Sequence, residues 1–407
     1  MPLRRREFLS RGVGLFSIGF VGPELLTAMA RASTNPTRPA NPILVMVQMN
    51  GGNDGLNTVI PYADPLYYTN RPTLGIPQSQ VIPVSATHAL HPGLAKLKPL
   101  FDSGNLGIMP GAGYPNPNRS HFRSMEIWQT ANPDQIVPDG WLGRYLDNLT
   151  PPSANPLSTM NVAQALPKTF ASEHSSVPSV PNLTSYKYMT DPKSPADALP
   201  VLQTFSKINS HVPIDRPYVG LIQKNLDDAY TTMEQVQSTG AYQPSVPYPS
   251  DGFSQALKLV AQVIVKDLGT RIFYVQLSGF DTHAGQAKVH ETLLTELAGG
   301  LTAFFTDVKN AGRADDLMVV TFSEFGRRVK ENGSKGTDHG AAGTMFALGG
   351  RVRGGFHGGL PSLANLDCGD LKYTVDFRSV YATLLQNWLG ADPTAILGQP
   401  FPVVDFV

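Results

Sequence analysis

Three apolar runs in this chain each end in a glycine-containing turn that carries an acidic or histidine side chain. The runs are residues 45–49, 272–277 and 317–322, and the turns are Gly-Gly-Asn-Asp-Gly (51–55), Ser-Gly-Phe-Asp-Thr-His (278–283) and Ser-Glu-Phe-Gly-Arg (323–327). Short apolar runs bounded by turn residues are typical of strands buried on both faces of a parallel sheet. Ligands of open α/β sheets bind just beyond the carboxyl ends of such strands. The sequence therefore predicts an α/β fold with a polar site at that edge.

Two pairs of side chains in these loops have the chemistry of metal ligands. Asp281 and His283 are alternate residues, so in an extended segment both can face one ion. Asp338 and His339 are adjacent and flanked by glycines, so they diverge and can serve two ions, or an ion and a substrate. Carboxylate oxygen and imidazole nitrogen bind zinc-like cations. The alternatives are a helix cap at Asp281 and an ordinary polar loop around His339.

Glu324 and Asp54 extend this set. Glu324 follows the strongest predicted strand, where it is either a ligand or the partner of Arg327 or Arg328, while Asp54 would also suit any sharp turn. The single Cys368 excludes a cysteine-based zinc site and an internal disulfide. We therefore predict a divalent cation (zinc, manganese or calcium) held by oxygen and nitrogen ligands. The candidate ligands are Asp54, Asp281, His283, Glu324, Asp338 and His339.

A second group of candidates surrounds a predicted helix start. Ser120 and His121 are candidate catalytic residues, because backbone N–H groups at a helix amino terminus hold anions and a nearby metal would activate the hydroxyl. Arg119 and Arg123 are candidates for binding an anionic substrate. The alternatives are an ordinary N-cap serine and solvated arginines.

Strands alternate with helices over residues 252–390, which is typical of a doubly wound, mostly parallel sheet. Residues 131–250 are rich in Pro, Ser, Asn and Thr and have weak periodicity, so we predict a loop-rich cap or insertion there. The predicted main domain spans 43–407, after a linker at 33–42. Formal net charge is zero and no long basic run occurs, which argues against nucleic acid as a partner.

The amino terminus reads as a targeting segment over residues 1–32. Arg-Arg-Arg-Glu-Phe-Leu (4–9) precedes the weakly apolar run 13–21 and Ala-Met-Ala (28–30). The apolar run is about half of the ~20 residues that a bilayer span needs, so no stable membrane anchor is expected. The Arg-Arg-x-Phe-Leu core predicts a twin-arginine signal, export by that machinery, and a periplasmic or secreted location.

Five motifs in this order resemble a bacterial family catalogued as domain of unknown function 1501 (DUF1501). They are Gly-Gly-Asn-Asp-Gly, Arg-Ser-His-Phe, Gly-Phe-Asp-Thr-His, Thr-Phe-Ser-Glu-Phe-Gly-Arg and Gly-Thr-Asp-His-Gly. That family looks like a branch of the alkaline phosphatase superfamily, which includes sulfatases. The resemblance implies an alkaline phosphatase-like fold, one or two divalent metals and an alkoxide nucleophile at a helix start. It implies a metal role for Asp54, Asp281, His283 and His339, and Ser120 as the nucleophile.

The sequence also departs from that superfamily. Ser323-Glu324 stands where an Asp-His pair is usual, and Pro115 stands where the sulfatase motif has its modified residue, which excludes a formylglycine sulfatase. The leading hypothesis is an exported metal-dependent hydrolase of phosphate or sulfate esters that uses Ser120 or a water. One alternative is a catalytically degenerate scaffold that binds a cell-surface polymer or a protein partner. A phosphomutase is a third, weaker hypothesis.

Overall fold

The computed structural model describes residues 38–149, 153–187 and 219–407, together with five positions between 200 and 208. The predicted signal over 1–32 and the linker residues 33–37 lie outside the described residues. Among the residues described, no helix has the length and apolar character needed to cross a membrane.

The described part of the chain contains one central sheet of eight strands. Its strands are β1 (Ile43–Asn50), β5 (Leu106–Gly113), β6 (Thr159–Val162), β7 (Ile272–Ser278), β8 (Leu317–Phe322), β9 (Gly343–Gly349), β10 (Gly355–Phe356) and β13 (Val375–Asp376). The spatial order is β10-β5-β9-β8-β1-β7-β6, and β13 also pairs with β5. Smaller sheets are formed by β2 (Val59–Ile60), β3 (Ile82–Pro83) and β4 (Ala89–Leu90), and by β11 (Leu366–Asp367) and β12 (Asp370–Leu371).

The fold is mixed α/β with a mostly parallel central sheet. β1 runs parallel to both β7 and β8, and β6 runs parallel to β7. β9 is antiparallel to β8 and to β5, a reversal that the sequence did not predict. Parallel neighbours need a crossover connection, usually a helix, and the segment between β8 and β9 contains none. The chain therefore returns in the opposite direction at β9.

Helices cover both faces of this sheet. The α-helices are α1 (Gly55–Thr58), α2 (Pro65–Asn70), α3 (Lys98–Asp102), α4 (His121–Thr130), α5 (Trp141–Asp147), α6 (Val219–Gln237), α7 (Gly252–Val265), α8 (Gln286–Asn310), α9 (Phe377–Thr383) and α10 (Pro393–Leu397). Short 3₁₀ segments span Pro92–Leu97, Lys168–Phe170, Ser238–Ala241 and Ala314–Asp316, and a π-helical segment, Leu384–Leu389, continues α9.

Alternate residues of β1 belong to two different cores. Val45 and Val47 pack in the core that contains the apolar faces of α7 and α8. Leu44 and Met46 pack in the opposite core, which contains aromatic residues of α4, α5 and α9. All of these β1 side chains are fully buried, as expected for a strand covered on both faces.

The predicted cap over residues 131–250 is not confirmed. β6 lies inside that interval and forms an edge strand of the central sheet beside β7. Trp141 and Phe170 of the same interval are buried in the second core. At least this part of the interval is therefore joined to the central sheet and to its second core.

The register brings the ends of three strands to one edge of the sheet. Asn50 of β1 lies beside Ser278 of β7, and Gln48 of β1 lies beside Phe322 of β8. The turns that follow are packed closely: Gly51 has φ of +119°, and a Cβ there would lie 2.4 Å from the backbone nitrogen of Asp281. Only glycine fits at that position, and the predicted convergence of polar turns depends on it.

A buried ion pair supports the first of these turns. Asp54 caps α1 and binds the guanidinium of Arg71, with side-chain exposures of 1% and 0%. Burial opposes ionisation of Asp54, yet the positive charge of Arg71 and its hydrogen bond outweigh it and lower the pKa of Asp54. Arg71 also donates to the carbonyl oxygens of Val329 and Arg328, so the pair links this turn to the segment after β8.

Removing one partner of this pair leaves a buried charge without compensation. We expect Asp54→Asn to lower the free energy of unfolding by about 3–5 kcal/mol, measured by chemical denaturation. The matched control is Asp102→Asn, which removes the exposed Lys98–Asp102 pair and should cost less than about 1 kcal/mol. Equal effects of the two substitutions would contradict a structural role for Asp54.

Candidate metal centre

Three histidine rings point at one carboxylate at this edge of the sheet. The Nε2 atoms of His283 and His339 lie 3.1 and 3.2 Å from Asp281 Oδ1, and His121 Nε2 lies 3.4 Å from Asp281 Oδ2. His283 Nε2 and His339 Nε2 are 2.9 Å apart. We call His121, Asp281, His283 and His339 the HHHD group. His121, Asp281 and His339 place their ligand atoms within 4.8 Å of one another, and His283 adjoins Asp281 and His339.

The other nitrogen of each ring is held by an oxygen. Glu324 Oε1 lies 2.9 Å from His121 Nδ1, and Asp338 Oδ1 lies 3.2 Å from His283 Nδ1. The carbonyl oxygen of Arg119 lies 2.8 Å from Nδ1 of His339. Carboxylate and carbonyl oxygens accept, so the Nδ1 atoms donate to them and the Nε2 atoms lie on the side of Asp281. Partners of this kind orient histidine ligands in metal sites.

Four separate segments deliver these groups. His121 is the first residue of α4, and Asp281 and His283 lie in the turn after β7. Glu324 follows β8, where its buried carboxylate accepts two hydrogen bonds from the Gly51 N–H, at 2.9 and 3.2 Å. His339 lies in the loop before β9 and forms a β-bridge with Arg327. The site therefore exists only in the folded chain.

Arg327 fixes the charge of the group. Its guanidinium is buried and donates to Asp281 Oδ1 at 2.7 Å. Burial opposes ionisation of Asp281, but the hydrogen bond and the charge of Arg327 outweigh it and lower the pKa of Asp281 to about 2. Burial lowers the pKa of His339, against the neighbouring oxygens of Arg119 and Asp281, which raise it. At neutral pH the group thus holds an anionic carboxylate and a neutral His339 imidazole, the forms that bind cations.

The donor atoms fit a divalent cation. Ligand atoms of His121, Asp281 and His339 all lie within 4.8 Å of one another. Ligands at about 2.0–2.1 Å in a tetrahedral arrangement around zinc lie about 3.3 Å apart. The contacting pairs of ligand atoms in the HHHD group are 2.9–3.4 Å apart. The Asp281 side chain is 48% exposed, so solvent or a substrate can reach the group.

Three of the predicted ligands take other positions. Glu324 and Asp338 lie behind His121 and His283, each bound to a ring nitrogen on the far side of the HHHD group. Asp54 is only 1% exposed, and both of its carboxylate oxygens accept hydrogen bonds within the protein, one from Arg71 and Gln286 and the other from the Asn57 N–H. Asp54 is therefore not among the ligands of the HHHD group. His121, predicted as a catalytic residue, joins the ligands instead.

The two predicted substrate arginines have partners within the protein. Arg119 pairs with the buried carboxylate of Asp370. Arg123 lies 2.9 Å from Glu126 Oε2 and donates to the carbonyl oxygens of Pro133 and Gln135. The interpretation of both arginines as free anion-binding groups therefore loses its geometric basis.

Ser120 occupies the N-cap position of α4, as the sequence predicts. Its side chain makes no capping hydrogen bond, so the hydroxyl is not used to satisfy the helix. It lies between Arg119, whose carbonyl binds His339, and His121 of the HHHD group. Ser120 thus stays a candidate nucleophile at the border of the site.

Sequence reasoning missed the main role of Arg327. We considered it as a partner of Glu324, but it binds Asp281 and four carbonyl oxygens. A lone arginine after a glycine gives no signal for such a role, because its contacts come from turns that are distant in sequence. The carbonyl of Arg119 was missed for the same reason, since backbone groups leave no mark in a motif.

The model of the family described as "Protein of unknown function (DUF1501)" matches residues 108–405. The chain belongs to this family. No curated protein matches the sequence. Among solved structures, the chain is similar to the C-terminal periplasmic domain of EcEptC from Escherichia coli in complex with Zn, at 12% identity and a TM-score of 0.42, over 90% of this chain and 88% of that one.

A second solved structure with some similarity is the PsFucS1 sulfatase from Pseudoalteromonas sp.. Its identity is 12% and its TM-score 0.33, over 81% of this chain and 66% of that one. At these identities and TM-scores, only the residues of the DUF1501 chain itself indicate its chemistry.

The HHHD group should bind zinc, manganese or calcium. Only substitutions in the group or at its outer partners should weaken this binding. We expect one metal ion per chain in the wild type, measured by elemental mass spectrometry after dialysis. His339→Ala should abolish this binding, because an inner ligand is lost. Asp338→Asn should weaken it by about 10- to 100-fold in a chelator competition, as replacement of an outer partner does.

The matched control is His174→Ala, which removes a surface histidine that is 72% exposed and lies in a different segment. It should leave metal affinity unchanged. A wild-type chain that takes up no zinc, manganese or calcium, or a His339→Ala chain that binds as well as the wild type, would rule out the centre.

Proposed function

We propose that this protein is an exported metal-dependent hydrolase of phosphate or sulfate esters. One observation supports this most: three imidazole Nε2 atoms and the Asp281 carboxylate converge beside the hydroxyl-bearing start of α4. Residues with this donor chemistry hold zinc-like ions, and an exposed carboxylate leaves room for a further ligand. Zinc, manganese and calcium remain the candidate ions.

The metal would be held by His121, Asp281, His283 and His339. When bound, a divalent cation supplies a Lewis acid that stabilises negative charge and lowers the pKa of a hydroxyl or water. The ten-residue helix α4 directs its amino-terminal N–H groups and the positive end of its dipole toward the same place. These groups would hold the non-bridging oxygens of an anionic ester.

The chain's own residues would then position the attack. The oxygen of Ser120, or of a water, would form a bond to phosphorus or sulfur while the ester bond to the alcohol breaks. The attacking oxygen would lose its proton to solvent and the departing alcohol would take one up. With Ser120 as the nucleophile, a water would then displace the serine oxygen and release phosphate or sulfate. Glu324 keeps His121 in place through Nδ1, and Asp338 does the same for His283. Arg327 keeps Asp281 ionised and oriented. Such preorganisation lets the site stabilise developing charge without rearranging.

One observation favours the alternative of a catalytically degenerate scaffold that binds a cell-surface polymer or a protein partner. Arg119 and Arg123, the arginines assigned to the anionic substrate, are paired with Asp370 and Glu126. A binding protein needs no free arginine to hold an anionic ester during its hydrolysis. This alternative predicts ligand binding that survives both chelation and Ser120→Ala.

Turnover distinguishes these two functions. The metal-loaded protein should hydrolyse members of a panel of aryl phosphates and aryl sulfates, and chelation should stop it. If Ser120 is the nucleophile, Ser120→Ala should lower kcat by at least about 100-fold, while an unchanged kcat would assign the attack to a water. Ser238→Ala, at an exposed serine in another segment, is the control. No turnover with any of the three metals would favour the binding scaffold.

Export by the twin-arginine machinery is part of the proposal and rests on Arg5, Arg6, Phe8 and Leu9. The double substitution Arg5→Lys and Arg6→Lys keeps the charge of this segment but removes the arginine pair. We expect the substituted chain to stay in the cytoplasm and the wild type to reach the periplasm or medium, as measured by cell fractionation. Export of both to the same extent would exclude this route.

A further inference from the structure

A cleft of about 810 Å³ opens directly beside the HHHD group. His121 and Asp281 lie on its wall, so any molecule in the cleft contacts the proposed metal centre. We call it the α4 cleft, because residues of α4 form much of it. Apolar side chains of Phe122, Met125 and Ile136 line it together with the amides of Gln48 and Gln129. A volume of this size suits a small organic molecule.

Two large apolar side chains are exposed at this cleft. Phe122 is 92% exposed and Ile136 is 76% exposed. Single exposed apolar residues are common on protein surfaces, but two on one cleft beside a candidate active centre indicate a binding surface. Phe122 is the neighbour of His121, so its backbone position is fixed by the contact between His121 and Glu324. Met125, one turn further along α4, also lines the cleft.

The two cations of the cleft share one carboxylate. Lys168 and Arg123 both bind the carboxylate of Glu126, whose side chain is 18% exposed. Arg123 is further bound by the carbonyls of Pro133 and Gln135. Both cations are therefore fixed by contacts within the protein, and their side chains are directed at Glu126 rather than at a ligand in the cleft.

Uncharged amides also line the cleft. Gln129 Nε2 donates to Gln48 Oε1 at 3.1 Å, and the Tyr274 hydroxyl donates to the same oxygen. Gln48 and Gln129 are 3% and 7% exposed, so their contacts to each other hold them in place. Apolar walls with a few fixed polar groups are typical of sites for small organic ligands.

We propose that the α4 cleft binds the alcohol portion of the ester, and that this portion is an uncharged aryl or branched alkyl group. The inference rests on the proposed function, since it names the substrate class of the same site. Phe122 and Ile136 would act as specificity-determining residues that contact the alcohol portion. The anionic phosphate or sulfate end would lie against the HHHD group.

The first experiment compares two esters whose leaving groups have similar acidity, phenyl phosphate and 4-tert-butylphenyl phosphate. The metal-loaded wild type should show a kcat/KM about tenfold higher for the larger ester, because four more carbons are partly removed from water. Phe122→Ser and Ile136→Ser should each reduce this preference severalfold and change kcat/KM for phenyl phosphate less. The aryl sulfates replace the phosphates if they are the better substrates.

The second experiment needs no turnover. The affinity of the metal-loaded protein for 4-tert-butylphenol is measured by titration calorimetry, and Phe122→Ser should weaken it about tenfold. Both cleft residues are exposed, so their substitution should not unfold the chain. Val403→Ser, which changes an apolar residue that is 46% exposed elsewhere, should leave the affinity and the ester preference unchanged.

The outcomes separate this inference from the proposed function. Hydrolysis of both esters at the same kcat/KM, with alcohol binding unaffected by Phe122→Ser and Ile136→Ser, would overturn the inference and leave the hydrolase intact. Alcohol binding that depends on Phe122, without cleavage of any ester, would reject the hydrolase and keep the cleft as an apolar binding site. If no ester is cleaved and alcohol binding does not depend on Phe122, both the inference and the proposed function are wrong.

Discussion

The buried guanidinium of Arg327 is the interaction on which the rest of the site depends. It donates to the carbonyl oxygens of Gly51, Gly52, Phe280 and Thr337, and to the carboxylate of Asp281. These oxygens belong to the turn after β1, the turn after β7 and the loop before β9. A buried charge is costly unless it is paired and fully hydrogen-bonded. Each of these turns supplies acceptors for Arg327. Displacement of any one of them would leave part of the buried guanidinium without a hydrogen-bond partner.

The orientation of each histidine ring in the site is set by an oxygen atom that binds its outer nitrogen. Each histidine of the HHHD group has one nitrogen bound to a protein oxygen and the other directed at Asp281. In the proposed centre, the inner group would set which ion binds, and the outer partners would set the ring orientation. The α4 cleft shares His121 and Asp281 with this group. Recognition of the alcohol and recognition of the anion would thus depend on the same helix start.

Much of the fold was accessible from the sequence. The strand Leu317–Phe322 was predicted with the bounds that the structure shows, and the run 272–277 matches Ile272–Ser278 within one residue, because both have a strong apolar pattern and clear turn residues at their ends. The antiparallel direction of β9 and the edge strand β6 were not predicted. Strand direction depends on how a connection runs in space, and β6 is too short for its alternation to be read.

Most residues of the candidate site could be predicted from the sequence, but their arrangement in the site could not. Spacing indicated that Asp281, His283 and His339 come together, because each follows a predicted strand or lies between glycines. It did not distinguish ligands from the residues behind them, so Glu324 and Asp338 were assigned to the inner group. Asp54 was misplaced because its partner Arg71 lies outside the turn motif, in a segment with no chemical signal.

The central claim is that three histidines and one aspartate bind a single divalent ion at the carboxyl edge of the sheet. X-ray absorption spectroscopy of the zinc-loaded protein tests it most directly, since it reports the type and distance of the ligands. The account predicts the multiple-scattering pattern of three imidazoles, with nitrogen and oxygen ligands at about 2.0–2.1 Å. A shell of oxygen atoms alone, without imidazole scattering, would contradict it.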